Sequence, residues 1–355
     1  MTKFVAGSKG ELEYLKRIVP YRDQMVKDHP DSPQEGFEYF TSEDYRYSHG
    51  GGHNLMVEKF VSGGLKMAFG MIKLFAKQMP KMIKGRRECF TDLKPYLDEI
   101  ETTGTLLKKE HPLLATQPNF DIWEKLSNYA WDKWQIRIGF TEMPEQFVFK
   151  GKTILFRYAI VCIQEMKKSE IDQAPEISAG TEVIRVYKEL GLAVNDLARW
   201  LREKYNVHCQ SNHPLGGLTN TTPLAGKAGL GWQGRNGLLI TPWYGQRQRI
   251  APIFIEEKLF EFTDSAQHKW IEDFCQNCGR CERSCPTGAI YSEKRVSAEN
   301  VPGIGVTRTC IDRIKCFPRF NATMGCSICA KVCPFSQGDG IYDQLKAAHL
   351  KRLQN

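Results

Sequence analysis

The sequence predicts an α+β fold built from a mostly helical N-terminal region, a mixed helix and strand domain and a small cysteine-rich domain. Short runs of β-branched and aromatic residues flank one long helical pattern in the middle of the chain, which is typical of a mixed domain. Nine of the twelve cysteines lie between Cys275 and Cys333, so the C-terminal part needs a chemical explanation of its own. We expect domains at residues 1–110, 111–262 and 263–345, followed by a tail at 346–355.

The composition excludes several classes of protein. With 41% hydrophobic and 25% charged residues over 355 positions, the chain is neither disordered nor collagen-like. The first residues, MTKFVAGSKGELEYLK, contain neither an apolar signal core nor a twin arginine, and no run of 18 apolar residues occurs anywhere. We therefore expect a cytoplasmic protein whose cysteines are thiols or metal ligands and not disulfides.

The N-terminal region contains one strongly basic segment, residues 59–87. It carries eight lysines and arginines and no acidic residue, which equals the formal net charge of +8 for the whole chain. Its spacing of apolar and basic residues predicts an amphipathic helix that ends or kinks near Pro80. Three interpretations stay open: peripheral contact with an anionic membrane, docking of an acidic ferredoxin or flavodoxin, and packing of the apolar side on the rest of the protein.

Four segments of the middle domain have clear secondary-structure patterns. We predict a buried strand at Lys152–Ile163, a long helix at Ala179–Tyr205 and two further strands at Gly237–Trp243 and Arg249–Glu257. The helix prediction depends on apolar residues that recur at intervals of three and four.

A glycine-rich segment, His213–Arg249, lies inside this domain and contains eight glycines. Glycine costs backbone entropy, so this density suggests a backbone that approaches a large ligand closely. No aspartate or glutamate occurs from Lys204 to Ile255, whereas several lysines and arginines do. This charge pattern favours an anionic ligand or a cofactor with a phosphate tail. The alternative is an ordinary glycine-rich loop between strands.

The first cysteine group, Cys275 to Cys285, follows the pattern C-x2-C-x2-C-x3-C-P of a bacterial ferredoxin. The two-residue spacers let three thiolates point from one loop onto the same iron–sulfur cluster. In this pattern the fourth cysteine, Cys285, ligates the other of two clusters, so a second cysteine group is expected.

The second group, Cys326, Cys329 and Cys333, supplies C-x2-C-x3-C-P but lacks one local thiolate. Cys316 can complete it, and Cys310 is the alternative. We favour two [4Fe–4S] clusters over a pair of zinc sites, although C-x2-C also binds zinc. We predict that one cluster is held by Cys275, Cys278, Cys281 and Cys333, and the other by Cys285, Cys316, Cys326 and Cys329.

The segment Ala228–Pro242, AGLGWQGRNGLLITP, together with this double cysteine pattern, resembles the cobalamin-dependent iron–sulfur reductases, which comprise reductive dehalogenases and epoxyqueuosine reductases. The resemblance covers about residues 150–340 and implies a nitroreductase-like domain that binds cobalamin, followed by a ferredoxin-like domain. Electrons would pass through the two clusters to the corrinoid, which would reduce a small organic substrate. The resemblance also implies that the motif contacts the cofactor through Gly229, Gly231, Trp232, Gly234, Arg235, Asn236 and Gly237.

Two departures place the sequence nearer the dehalogenase branch. The aspartate that epoxyqueuosine reductases carry before AGLGW falls near Leu215 here, and no acid lies between Glu203 and Glu256. The chain also ends 22 residues after Cys333, without the helical repeats by which those enzymes grip tRNA. We therefore expect a small-molecule substrate, no nucleic acid partner and a ferredoxin or flavodoxin as electron donor, with reductive dehalogenation as one form of the reaction.

The catalytic residues have no motif of their own. In the dehalogenase branch a tyrosine with a nearby basic residue donates a proton, and the resemblance suggests Arg235 as the basic residue. Tyr158 is the candidate tyrosine, with a structural core tyrosine as the alternative. His213 lies near the position of the missing aspartate, and histidine can donate a proton near neutral pH. Three other functions stay open: electron transfer without a corrinoid, reduction or repair of a corrinoid, and that of an epoxyqueuosine reductase relative.

Overall fold

The computed structural model describes the C-terminal two thirds of the chain, with gaps. The described residues are 118–144, 147, 154, 156–212, 214, 218–291, 311, 313–323 and 325–354. The N-terminal region and its basic segment 59–87 lie outside the described residues, as do His213 and Cys310.

Helices and strands are mixed along the described chain. The strands are β1 (Ile136–Glu142), β2 (Tyr158–Glu165), β3 (Cys209–Ser211), β4 (Trp232–Gln233), β5 (Leu239–Ile240) and β6 (Gln248–Ile255). The helices are α1 (Phe120–Trp134), α2 (Lys168–Ile171), α3 (Ile177–Tyr205), α4 (Thr221–Lys227), α5 (Trp270–Cys278), α6 (Arg280–Arg283), α7 (Arg313–Ala322), α8 (Ile328–Lys331) and α9 (Ile341–Gln354). Short 3-10 turns lie at Ala266–His268 and Pro334–Ser336.

A four-stranded antiparallel sheet, in the order β1-β2-β6-β3, forms the centre of the mixed domain. Side chains of β2 alternate between two cores. Ile160 packs with the long helix α3, whereas Val161 packs with residues of the glycine-rich segment. The sheet is therefore buried on both faces, which explains why this strand is apolar at consecutive positions.

The long helix α3 has 29 residues, and its C-terminal half covers one face of this sheet. Leu190, Val194, Leu197 and Leu201 are fully buried and recur at intervals of three and four, as the sequence predicts. The helix ends at Asn206, which adopts the left-handed conformation that commonly terminates a helix. The helix prediction is confirmed, except that the helix begins two residues earlier.

Two predicted strands differ in extent from the strands of the structure. Strand β2 contains Tyr158–Ile163 of the strand predicted at Lys152–Ile163, and Tyr158 pairs with Glu142, the last residue of β1. Residues 152, 153 and 155 lie outside the described residues. The segment Gly237–Trp243 forms only the two-residue strand β5, which pairs with β4 outside the main sheet. The strand predicted at Arg249–Glu257 is confirmed as β6.

The cysteine-rich part consists of short helices and of α9, which packs back on α5. Tyr342 and His349 of α9 are buried, and their rings contact Trp270. The Tyr342 hydroxyl accepts a hydrogen bond from Trp270 Nε1 (3.0 Å) and lies 2.6 Å from His268 Nδ1. Residues 346–354, predicted as a tail, therefore continue a packed helix. None of the described helices is both long and apolar enough to cross a membrane.

Candidate iron–sulfur sites and adjoining cavity

The first predicted cysteine set surrounds a small cavity in the cysteine-rich part. Three of its members lie on α5 and α6, and the fourth immediately precedes the 3-10 turn at Pro334–Ser336. The lining of this small cavity includes Cys275, Cys278, Cys281 and Cys333, together with Arg235, Gln246 and Phe335. The fold therefore brings Cys333 next to the other three cysteines, although it lies 52 positions after Cys281 in the sequence.

The second predicted set lines a larger cavity of about 450 Å³ between the cysteine-rich part and the mixed domain. Its four cysteines are Cys285, Cys316, Cys326 and Cys329. The glycine-rich segment, the start of β6 and α3 supply the opposite side of the same cavity. A group bound by the second set would consequently face whatever else occupies this cavity.

The chemistry of the donors fits iron–sulfur clusters. Burial, together with the neighbouring Cys329 and Cys278 thiols, raises the pKa of Cys281 to about 11. Burial likewise raises the pKa of Cys329 to about 11. A coordinated metal cation reverses this effect, because it stabilises the thiolate. Within the described residues no three Cys, His, Asp or Glu side chains are arranged to hold a single metal ion.

Cys285 differs from these buried thiols. Burial opposes its ionisation, but hydrogen bonds from Thr287 and from the backbone around Ala289 outweigh it and lower the pKa of Cys285. The backbone N–H of Ala289 donates to Cys285 Sγ at 3.3 Å. Such N–H···S hydrogen bonds are one of the means by which proteins set cluster potentials.

The two cysteine sets are neighbours. Cys281 of the first set and Cys329 of the second interact electrostatically, and Gln246 lines both cavities. Electron transfer between two clusters held here would cross a short distance through protein.

The glycines of the AGLGWQG motif face protein atoms in the structure. A Cβ added at Gly231 would lie 2.0 Å from the carbonyl oxygen of Ile240, and one at Gly229 would lie 2.5 Å from the Thr263 side chain. A Cβ at Gly234 would meet the side chain of Gln246 at 2.8 Å. At these three positions the close approach is therefore between protein segments, which differs from the ligand approach expected from the sequence.

Trp232 also packs inside the protein. It is 7% exposed and belongs to the core that contains Ile240, Phe335 and Tyr342. It lines neither of the two cavities described above. Its position joins the motif to the cysteine-rich part, which differs from the predicted cofactor contact.

The remaining three motif residues lie at the cysteine sites. Arg235 borders the cavity of the first set, where Nη1 donates to the carbonyl oxygen of Gln276 and lies 3.4 Å from Glu282. Asn236 and Gly237 line the larger cavity. Gly237 adopts a φ of 82°, which favours glycine at this turn. The arginine predicted as a basic catalytic residue thus lies beside the first cysteine set.

The tyrosine predicted as proton donor, Tyr158, does not line the larger cavity. Tyr158 stacks on Phe140 and contacts Phe262, and burial raises its pKa. It lines neither cavity. A different tyrosine, Tyr187 of α3, lines the larger cavity, and the Arg249 guanidinium lies 4.7 Å from its ring centroid.

The sequence placed Tyr187 in the apolar pattern of the helix, so only the three-dimensional structure reveals that Tyr187 lines the cavity.

The other residues that line the larger cavity are mainly uncharged. Among the described residues that line this cavity, the only basic residues are Arg249 and Arg319, and none is an aspartate or a glutamate. Polar groups are supplied by Thr219, Asn220, Thr221, Thr222, Gln233 and Gln248.

Comparison with known proteins finds one matching family and several relatives that are similar to part of this chain. The 4Fe-4S double cluster binding domain family matches residues 274–336. A tetrachloroethene reductive dehalogenase of Dehalobacter restrictus is 32% identical over 148 residues, which cover 41% of this chain and 25% of the relative. An epoxyqueuosine reductase of Listeria monocytogenes is 31% identical over 134 residues, which cover 38% of this chain and 34% of the relative. The matched part thus spans only about a quarter to a third of these relatives.

A solved reductive dehalogenase, whose structure is described as suggesting a mechanism for B12-dependent dehalogenation, has a similar fold. Its TM-score is 0.54 at 19% identity, over 68% of this chain and 35% of the solved one. The nitroreductase-like character of the mixed domain stays a prediction. Because epoxyqueuosine reductases are among the relatives, the absence of a nucleic acid partner is also no more than a prediction. The chain therefore contains a segment that matches the 4Fe-4S double cluster binding domain family, and about two fifths of it is similar to reductive dehalogenases and epoxyqueuosine reductases.

Proposed function

We propose that this protein is an iron–sulfur reductase in which two [4Fe–4S] clusters deliver electrons to a corrinoid that reduces a small organic substrate, with reductive dehalogenation as the leading reaction. The observation that carries the proposal is the larger cavity. It is lined by the second cysteine set on one side and by the glycine-rich segment on the other. A cluster at this position has direct access to a ligand in the cavity.

The cysteine sets have separate roles in this scheme. Cys275, Cys278, Cys281 and Cys333 hold the first cluster, and Cys285, Cys316, Cys326 and Cys329 hold the second. Low-potential clusters reach about −400 mV and below, which suits the reduction of a corrinoid. The proximity of Cys281 to Cys329 supports transfer from the first cluster to the second.

The larger cavity suits an amide-rich organic cofactor. The volume of about 450 Å³ is within the range of about 300 to 1,000 Å³ for sites of small organic ligands, so it would hold part of a corrinoid and not the whole cofactor. Its threonine hydroxyls and its asparagine and glutamine amides can hydrogen-bond to the amide side chains of a corrinoid. When bound, the corrinoid supplies a low-potential metal centre that reacts with the substrate.

Tyr187 and Arg249 are the best-placed groups for proton transfer to a substrate in this cavity. Arg249 holds the ring of Tyr187 through a cation–π contact of 4.7 Å. The tyrosine hydroxyl can donate a proton to a substrate in the cavity, where Met166, Leu239 and Ile250 supply apolar surface. Tyr158, Arg235 and His213 stay the alternatives proposed from sequence.

Anaerobic reconstitution tests the proposal directly. The full chain is loaded with iron and sulfide, its iron is counted, and hydroxocobalamin is titrated while the visible spectrum is recorded. We expect about eight irons per chain, a saturable spectral change, and turnover of a halogenated phenol. Absence of cobalamin binding contradicts the proposal, and about eight irons without cobalamin favour an electron-transfer protein.

The epoxyqueuosine reductase relative makes a second function worth testing in the same preparation. The loaded protein is incubated with a tRNA stem-loop that contains epoxyqueuosine, and the nucleoside products are separated. Conversion of this RNA in preference to halogenated phenols would replace the dehalogenase assignment. Cobalamin binding without turnover of either substrate favours a protein that reduces or repairs the corrinoid itself.

A further inference from the structure

Electrons must reach the first cysteine set from outside the chain. The second set borders the substrate cavity, whereas the first set borders a separate small cavity. The first set is therefore the point of entry in a two-cluster relay. A protein donor has to bring its redox centre close to this set, so the surface around the loop between α5 and α6 determines which donors can dock.

This surface is neutral or positively charged. Gln276, Asn277, Arg280 and Arg283 are all exposed. From residue 276 to residue 291 the chain contains a single carboxylate, Glu282, which lies 3.4 Å from Arg235 and is thereby neutralised. Farther from the loop, the α5 carboxylate Asp273 lies 3.4 Å from Arg352. The exposed charges beside the loop between α5 and α6 are consequently the two arginines.

One of these arginines is held directly on the cysteine loop. Arg283 Nη2 donates a hydrogen bond to the carbonyl oxygen of Cys278 at 3.0 Å. Its guanidinium also covers Gly279, where an added Cβ would lie 2.6 Å from Nη1. Gly279 has a φ of 59°, so the loop brings the backbone and the arginine together without a side chain between them. A carboxylate that pairs with Arg283 therefore comes close to Cys278.

The other arginine is available for a partner. Arg280 is exposed and makes no ion pair among the described residues. It lies at the start of α6, one residue before Cys281 of the first set. Two positive groups thus flank the backbone that carries Cys278 and Cys281.

We propose that Arg280 and Arg283 form the docking surface for a small electron-transfer protein with acidic residues around its redox centre. This inference rests on the proposed function, because the docked protein needs a cluster at the first set to reduce. In each encounter one electron leaves the reduced centre of the donor, which is oxidised, and one electron reduces the first cluster. Two encounters supply the two electrons of a substrate reduction, and no covalent bond to the donor forms.

Charge reversal tests the surface with an acidic plant-type [2Fe–2S] ferredoxin as the probe. Binding of oxidised ferredoxin to the cluster-loaded full chain is measured by calorimetry at low and high ionic strength. We expect Arg280→Glu to weaken binding about tenfold at low salt, and the Arg280→Glu/Arg283→Glu double variant to weaken it further. The matched control is Lys204→Glu, which makes the same charge change at an exposed site on α3. It should bind like the wild type.

A kinetic measurement separates docking from cluster damage. Reduced ferredoxin should reduce the clusters of the charge-reversal variants more slowly, whereas photoreduced deazariboflavin, a small reductant, should reduce all variants at the same rate. Arg280→Glu is the decisive variant, since its side chain contacts no cysteine of the first set in the structure. Ferredoxin binding that is absent in the wild type, or unchanged by both substitutions, overturns the docking surface. Failure of the wild type to assemble clusters instead overturns the proposed function.

Discussion

The side-chain amides of Asn236 and Gln246 hydrogen-bond to each other in both directions. Asn236 Nδ2 donates to Gln246 Oε1 at 2.9 Å, and Gln246 Nε2 donates to Asn236 Oδ1 at 2.8 Å. The backbone N–H of Gln246 also donates to Ser336 Oγ at 3.0 Å. Because Gln246 lines both cavities, this buried pair lies between the two cysteine sets and joins the motif to the cysteine-rich part.

Replacement of one amide should destabilise the protein. Gln246→Leu keeps a similar volume but leaves the buried Asn236 amide without its partner, which costs about 1–3 kcal/mol. We expect a lower thermal unfolding midpoint for the cluster-loaded protein under anaerobic conditions. The Asn236→Leu/Gln246→Leu double variant should lose less than the sum of the two single variants, because both unpaired amides are then removed. Strict additivity would show that the pair contributes no coupling.

Removal of one proposed ligand should empty one cluster site. Cys316 lines the larger cavity with the other three members of the second set, so Cys316→Ala should lower the iron content towards about half. Cys310→Ala is the matched control, because the sequence offers it as the alternative ligand. Iron counting and electron paramagnetic resonance of the reduced protein measure the outcome. Loss of iron in Cys310→Ala but not in Cys316→Ala would exchange the two assignments.

The cysteine sets are predictable because most of their ligands are encoded locally. The C-x2-C spacers bring Cys275, Cys278 and Cys281 to one loop, and the known crossover of double-cluster domains supplies Cys333 from the second group. The structure places each set around its own cavity. Cysteine ligands that are close together in the sequence can be identified without knowledge of the tertiary fold.

The packing of the glycine motif and the position of Tyr187 at the cavity could not be predicted in the same way. Glycine is required equally by a nearby ligand and by a nearby backbone, and only the fold shows that Ile240 approaches Gly231. Similarly, the helical period assigns Tyr187 to an apolar stripe, but the cavity beside it is lined by residues from distant parts of the chain, including Arg249 and Ile328. Contacts between distant segments leave no periodic signal in the sequence.

Two tyrosine variants distinguish the proposed proton donor from its alternative. Tyr187→Phe removes a hydroxyl from the cavity and should lower kcat at least about tenfold, in line with the loss of a general acid. Tyr158→Phe should change kcat little, because Tyr158 lies among Phe140 and Phe262. Steady-state turnover of a halogenated phenol by cobalamin-loaded protein gives both values. Cobalamin affinity is the control, since a loss of binding would show that Tyr187 supports the cofactor and not the proton transfer.

The buried carboxyl of Glu257 should make stability depend on pH. Burial raises its pKa to about 7, although the backbone N–H of His208 donates to Oε1 at 3.3 Å and lowers it. Between the ordinary value of 4.5 and about 7, the folded state therefore holds a proton that the unfolded state has lost. The sign follows from linkage: this group stabilises the fold at low pH, and its contribution is lost as the pH rises through 7.

Glu257→Gln should remove this dependence, because the amide stays neutral at every pH. We expect the wild type to lose about 1–3 kcal/mol more stability than Glu257→Gln between pH 5.5 and 8.5. Anaerobic thermal unfolding of the cluster-loaded proteins at several pH values measures the difference. Glu203→Gln, at an exposed position on α3, is the control and should follow the wild type. Parallel curves for the wild type and Glu257→Gln would mean that Glu257 ionises in the folded protein as it does in water. Glu256, which lies 3.0 Å from Arg157, should then be tested by the same substitution, because burial and the neighbouring Glu257 carboxyl raise its pKa to about 7.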